Sequence, residues 1–223
     1  MTLLALDCSS KTASAAIVGD GKLLAQSFVN AGLTHSETLM PMIAQVLERA
    51  RVTPERIDRL AATNGPGSFT GLRIGVSTAL GLSFARDIPC VGVSSLEAAA
   101  WNVCHMGGVI CALMDARLGQ VYTALFDAES GEPRRLTEDT AEGADEVFEK
   151  IRQKNAVLVG DGAEMCYNAW EGTFRLAPEH LRYPTGYGTA MAALKKNEFY
   201  SGQALRAEYI RLPQAERERR KYE

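Results

Sequence analysis

Three apolar runs at the start of the chain, the last two joined by a glycine turn, restrict the fold more than any other feature. Residues 3–6 read as a buried strand that stops at Asp7, and residues 13–18 read as a second strand. Gly19-Asp20-Gly21 then turns the chain into a third run, residues 22–29, and two strands so joined form a hairpin. A helix follows. Leu39, Ile43, Val46, Leu47 and Ala50 recur at helical spacing and give one apolar face. Thr34 and Glu37 have capping-box spacing, in which hydroxyl and carboxylate each accept from an end amide. Pro41 lies inside the pattern; without an amide donor it should bend the helix or mark a later start.

Strand and helix alternate from there. Residues 59–63 predict a strand, 64–71 a turn-rich loop, and 72–85 a second helix. Residues 90–93 predict a strand, and Ser94 with Glu97 a second capping box that opens a helix over 96–103. Strands over 109–114 and 121–126 flank the Asp115-Ala116-Arg117-Leu118-Gly119 turn. A helix over 144–154, a strand over 156–159, a Gly160-Asp161-Gly162 turn before a further helix, and a helical stretch over 189–196 complete the pattern. This order is α/β. An opening antiparallel hairpin followed by strand–helix alternation fits the actin-like ATPase (ASKHA) superfold, with two related lobes of mixed sheets flanked by helices. The pattern restarts in reduced form near Gly107-Gly108, which predicts a first lobe over 1–106 and a reduced second lobe over 107–223. The charge run from Glu216 to Lys221 reads as a solvated end.

Composition narrows the function. Hydrophobic residues make up 46% and charged residues 23%, so the chain is neither disordered nor embedded in a membrane. A net charge of −3 argues against a protein that grips nucleic acid alone, because phosphate neutralisation needs a basic face. Five cysteines, with no CxxC among them, predict buried free thiols in a reducing cytosol. The opening segment has no basic region before its apolar run, and no apolar run approaches the roughly 20 residues that span a bilayer; a cytoplasmic protein is expected.

The motifs admit two readings each. Asp7-Cys8-Ser9-Ser10 follows the first strand, where hydroxyls and amides can donate to a phosphate, but a polar turn also ends many strands. The stretch Gly65-Pro66-Gly67-Ser68-Phe69-Thr70-Gly71-Leu72-Arg73-Ile74-Gly75 lacks the Gly-Lys-Ser/Thr of a Walker loop. It either places helix amides near an anion or sets the second helix rigidly against the first, with Phe69 and Arg73 as packing and interface residues. Gly71, Gly75 and Ala79 lie one turn apart, a line of small side chains suited equally to the sheet or to another helix. No two histidines stand at i, i+4, which removes the usual helical zinc pair. No GxSxG occurs, and Cys8 has no evident base beside it.

Taken together, Leu4-Ala5-Leu6-Asp7-Cys8-Ser9-Ser10, Thr34-His35-Ser36-Glu37, Gly65 to Arg73, Gly92-Val93-Ser94-Ser95-Leu96-Glu97 and Met114 to Tyr122 resemble the bacterial TsaB (YeaZ) family. The likeness is close in the first half and looser in the second, where Glu208-Tyr209-Ile210-Arg211 resembles the family's closing strand. The resemblance implies a paralogue of TsaD, the subunit that joins a threonylcarbamoyl group to the adenosine beside the tRNA anticodon. It implies pairing with TsaD, docking of the ATPase TsaE on the pair, and a homodimer in isolation. It further implies contact with tRNA only through the complex, and no cofactor of its own beyond ATP held by TsaD and TsaE. Both pairings imply four-helix packing of the first two helices, with His35, Glu37, Leu39, Ile43, Val46, Phe69, Gly71, Leu72, Arg73, Gly75 and Ala79 at the interface. On this reading Gly75→Leu blocks pairing more than folding. A weak nucleotide or phosphate site would draw on Asp7, Ser9, Ser10, Asp115, Gly160 and Gly162.

The same resemblance marks what is missing. Ser95 and Ala99 stand where TsaD carries two metal-binding histidines, and neither replaces an imidazole as a ligand. Lys11 and Thr12 stand where TsaD carries an acidic pair, and the lysine disfavours a bound cation. Both point to a non-catalytic partner subunit. Two other classes compete. An autonomous phosphotransferase of the same superfold would need an acidic residue facing the cleft and tight ATP binding. A metallopeptidase would need ligands that this sequence lacks.

Overall fold

The first sheet is built from the first half of the chain and covered in part by a helix that returns from the second. The structure, a computed structural model, describes residues 1–211; the charge run at Glu216 to Lys221 lies outside the described residues. The first sheet contains β1 (Thr2–Asp7), β2 (Ala13–Gly19) and β3 (Lys22–Val29). Helix α1 (His35–Ala50) leads to β4 (Arg59–Gly65), and α2 (Phe69–Arg86) leads to β5 (Cys90–Ser94). Strand order is β3-β2-β1-β4-β5; β1 runs antiparallel to β2 and parallel to β4. Helix α3 (Ser95–Val103) then carries the chain to β6 (Val109–Asp115) and β7 (Gln120–Asp127). The second sheet adds β8 (Arg134–Arg135), β9 (Thr140–Gly143), β10 (Ala156–Val159) and β11 (Arg175–Leu176), in the order β11-β10-β6-β7-β8 with β9 also on β7. Helices α4 (Ala144–Ile151), α5 (Ala163–Ala169) and α6 (Glu179–Arg182) accompany it. Finally α7 (Gly186–Lys196) returns to the first sheet and packs on α3, β1 and β2.

Each sheet is covered on both faces. Leu4, Leu6 and Ile17 meet Leu39, Ile43 and Val46 of α1 on one face of the first sheet. Leu3, Ala5 and Val18 meet Trp101 of α3 and Ala190 and Ala193 of α7 on the other. Full burial of each large aliphatic side chain contributes about 2 kcal/mol. Among the described residues no helix is long and apolar enough to cross a membrane.

Several local expectations are corrected. Helix α1 starts at His35 and runs through Pro41, so the proline marks no later start. The Thr34 hydroxyl donates to the Glu37 carboxylate and accepts no amide, so the expected capping box does not form. Ser94 does cap α3, its hydroxyl accepting from the Glu97 amide at 3.3 Å, while the Glu97 carboxylate turns to Arg135 at 3.2 Å. Helix α2 begins at Phe69, before Leu72, because the Ser68 hydroxyl accepts from the Gly71 amide. Residues 208–211 form no strand; Glu208 lies beside β4, its amide donating to the Asn64 carbonyl at 2.7 Å, and the chain bends at Ile210 and Arg211.

Candidate functional site

A cavity of about 930 Å³ opens between the two sheets. Its walls are the β1–β2 turn, the loop entering α1, the first turn of α2, the end of β6 with its hairpin turn, Asp161, and residues 208–211. Of the expected phosphate-site residues, Ser9, Ser10 and Asp115 line it. Asp7 lies beneath them, fully buried at the end of β1. Its Oδ1 accepts from the Ser9 hydroxyl at 2.6 Å and the Thr63 hydroxyl at 2.7 Å, while Oδ2 has no partner. Burial pushes the Asp7 carboxyl upward, against the lowering effect of those hydroxyls. Ser10 shares a 2.8 Å hydrogen bond with Thr12. Both serine hydroxyls are therefore engaged within the turn. Gly160 and Gly162 are not among the lining residues; a Cβ at Gly160 would overlap the Leu113 carbonyl oxygen, and one at Gly162 would stand a tight 3.0 Å from the Asp115 amide nitrogen.

The residue between those glycines was missed. Asp161 lines the cavity, and its Oδ1 accepts from the Asp115 amide at 3.1 Å. Burial raises its carboxyl to about 6, and Asp115 and Asp7 add to the rise while the Asp115 amide and Lys11 oppose it. Lys11 supplies the opposing charge at the rim, its ammonium 5.1 Å from the Tyr183 ring centroid. The lining thus carries both signs, with Lys11, Arg117 and Arg211 beside Asp115, Asp161 and Glu208. Among the described residues no group of three or more His, Cys, Asp or Glu has the geometry to hold a metal.

His35 fixes the floor. Its Nε2 donates to the Ser10 carbonyl at 3.0 Å, and Nδ1 has no partner. The ring lies beside Gly71, where a Cβ would come within 2.9 Å of it and would overlap the Cys8 carbonyl oxygen. The Ser68 amide donates to the Ser9 carbonyl at 2.7 Å, so the first turn of α2 is held against the β1–β2 turn.

Most of the expected interface residues face inward. Leu39, Ile43, Val46, Leu72 and Ala79 are buried in the protomer, and Gly71 and Gly75 face Cys8 beneath the sheet. Within the protomer the apolar stripe of α1 and the small stripe of α2 are the ones that pack on the sheet. Glu37 and Arg73 are exposed, and Phe69 is half-buried with its ring 4.7 Å from that of Tyr209. The outward faces carry other residues: Met40, Pro41 and Ala44 on α1, and Thr70, Ser77, Gly81 and Phe84 on α2. Phe84 is 88% exposed. The available signal was that α2 is apolar all round, with Leu72, Ile74, Val76, Leu80, Leu82 and Phe84, which a helix covered on one side alone does not need.

Ser95 and Ala99 are both fully buried in α3, and the Ser95 hydroxyl has no partner. Cys8, Cys90, Cys111 and Cys166 are buried and free, as the composition predicts, and Cys104 is half-buried. Burial pushes the Cys111 and Cys166 thiols up to about 12, which leaves them unreactive.

Comparison with known proteins adds to this geometry. A family model described as "TsaD: tRNA N6-adenosine threonylcarbamoyltransferase" matches residues 29–204. The tRNA threonylcarbamoyladenosine biosynthesis protein TsaB of Bacillus subtilis (strain 168) is 30% identical over 97% of this chain and 96% of its own length. A tRNA N6-adenosine threonylcarbamoyltransferase of Geobacter sulfurreducens is 33% identical over 92% of this chain and 68% of its own length. Among solved structures, YeaZ from Pseudomonas aeruginosa superposes with a TM-score of 0.80 at 25% identity, covering 93% of this chain and 99% of that one. An activator of 2-hydroxyisocaproyl-CoA dehydratase from Clostridium difficile, with bound ADPNP, gives 0.53 at 13% identity, over 87% and 94%. The last likeness concerns the fold alone, which is actin-like.

Proposed function

The chain belongs to the TsaB (YeaZ) family of tRNA threonylcarbamoyladenosine biosynthesis proteins, relatives of TsaD, and on that premise we propose that it is the non-catalytic partner subunit of the modification. In this reading it pairs with TsaD through the outward faces of α1 and α2, TsaE docks on the pair, and tRNA and ATP are held by the complex. In isolation the same faces pair two copies. The observation that carries the reading is the outward face of α2. Thr70, Ser77 and Gly81 leave it shallow enough for another helix to approach, and Phe84 stands out at its end as an apolar anchor. The chemistry of the interior agrees. Ser95 and Ala99 are sealed inside α3, where neither can reach an ion in the cavity.

Reconstitution tests this directly. TsaD, TsaE, ATP and threonylcarbamoyl-adenylate are combined with tRNA, with and without the chain. Modification that requires the chain, while the chain alone does nothing, is the expected result. Modification that ignores it, with no complex on size exclusion, overturns the proposal. One observation favours a phosphotransferase instead: Asp161, a carboxyl raised to about 6, faces the cavity. ATP turnover by the chain alone, abolished by Asp161→Asn, would establish that alternative. Any nucleotide or phosphate at Ser9, Ser10 and Asp115 would be bound weakly, because both serine hydroxyls are already engaged, with Asp7 and with Thr12.

A further inference from the structure

Residues 205–211 cross from the first sheet to the second over the mouth of the cavity. Leu205 is buried in the core beneath α1 and α2, and Ala207 packs against it, which roots the segment. Asn64 grips the next stretch from both sides: its Nδ2 donates to the Arg206 carbonyl at 3.1 Å, and its carbonyl accepts from the Glu208 amide at 2.7 Å. Tyr209 stacks on Phe69, and its hydroxyl accepts from Arg73 Nε at 3.2 Å, while the Arg73 guanidinium lies 3.8 Å above the Phe69 ring. On the far side Arg211 Nη1 donates to the Ala116 carbonyl at 2.7 Å, in the hairpin turn between β6 and β7.

The fold is shaped to receive this segment. Gly65, at φ 150°, has the Glu208 carbonyl where a Cβ would stand, and only glycine permits both the conformation and the approach. Glu208 and Ile210 also line a second cavity of about 580 Å³ on the opposite side. The segment is therefore the partition between two spaces.

We propose that residues 205–211 are a strap that ties the two sheets together across the cleft and limits how far it opens. Between Glu208, held at Asn64, and Arg211, held at Ala116, lie three residue steps, which span at most about 11 Å when fully extended. One arginine side chain adds the rest of the reach. Rotation of one sheet away from the other, the common hinge motion of two-lobed proteins, would break the Arg211 bond or peel Tyr209 from Phe69.

The test uses the full chain with spin labels at Glu48→Cys on α1 and Glu149→Cys on α4, both exposed, and with Cys104→Ser to remove the half-buried thiol. Electron–electron resonance gives the distance distribution between them. The intact strap should give one narrow distribution, and Tyr209→Ala with Arg211→Ala should add a longer-distance population. Amide exchange at Glu208 should rise by about fivefold or more, as the loss of one supporting interaction predicts. An unchanged distribution overturns the proposal, even if Glu208 exchanges faster, because a loosened strap would then have restrained nothing. Should the double variant fail to fold, Arg211→Ala carries the same test: it removes one hydrogen bond at the rim and must still lengthen the distances.

Discussion

Gly71 and Gly75 stand one turn apart on α2 and meet different surroundings. A Cβ at Gly71 would overlap the Cys8 carbonyl oxygen, whereas at Gly75 it would meet the Cys8 Cβ at an ordinary 3.5 Å. Gly71→Ala should therefore destabilise by about 1–3 kcal/mol, the usual cost of overpacking. Gly75→Ala should stabilise by up to about 1 kcal/mol, because alanine favours the helix. Urea denaturation of both variants measures the contrast, and equal effects would contradict it. Gly75→Leu sends a larger side chain past this position toward Cys8, and loss of folding together with pairing, in urea and size-exclusion assays, would contradict the expectation that pairing suffers more than folding. The sequence shows the two glycines as equivalent because spacing alone does not say which face meets the sheet. Asp161 was hidden for a related reason. It is visible as a turn residue, but the charges that act on it, Asp115 and Lys11, are brought beside it from distant parts of the chain.

Elements were legible where apolar spacing and capping agreed. Helix α1 and strands β1, β2 and β6 stand close to where the pattern puts them, whereas ends set by a single hydroxyl shifted. Helix α7 begins at Gly186, before Thr189, because the Thr185 hydroxyl accepts from the Gly188 amide at 3.1 Å. The glycines that masked this start are required by packing: a Cβ at Gly186 would lie 2.7 Å from the Ala16 amide nitrogen of β2. At this scale the proposed association face can be separated from the core. Phe84→Asp should weaken self-association by about tenfold or more, as loss of an apolar anchor does. The folding free energy should stay within about 0.5 kcal/mol, as for other surface changes. Sedimentation equilibrium and thermal melts check the two halves, and a melt that collapses with association would place Phe84 in the fold instead.

The whole molecule carries one tryptophan in each half. Trp101 lies between the first sheet and α7, and Trp170 packs with Phe148 and Phe174 beside the second sheet. Because α3 packs into the cores of both sheets, Trp101→Phe and Trp170→Phe should report the same urea midpoint by fluorescence of the remaining indole, and separate midpoints would show two independent units. The α/β order and the hairpin opening were readable at this scale, since each rests on local pattern. The return of α7 was not, because nothing local says which sheet a late helix will cover. That return has a consequence during synthesis. The strands of the first sheet leave the ribosome first, but the face that α7 covers stays bare until residue 196 has been made. At the ordinary pace of translation that interval is on the order of 10 s. Throughout it, Leu3, Ala5 and Val18 lack the cover of α7 and rely on nascent helix α3 or on chaperones for shelter, which opens the unfinished chain to aggregation.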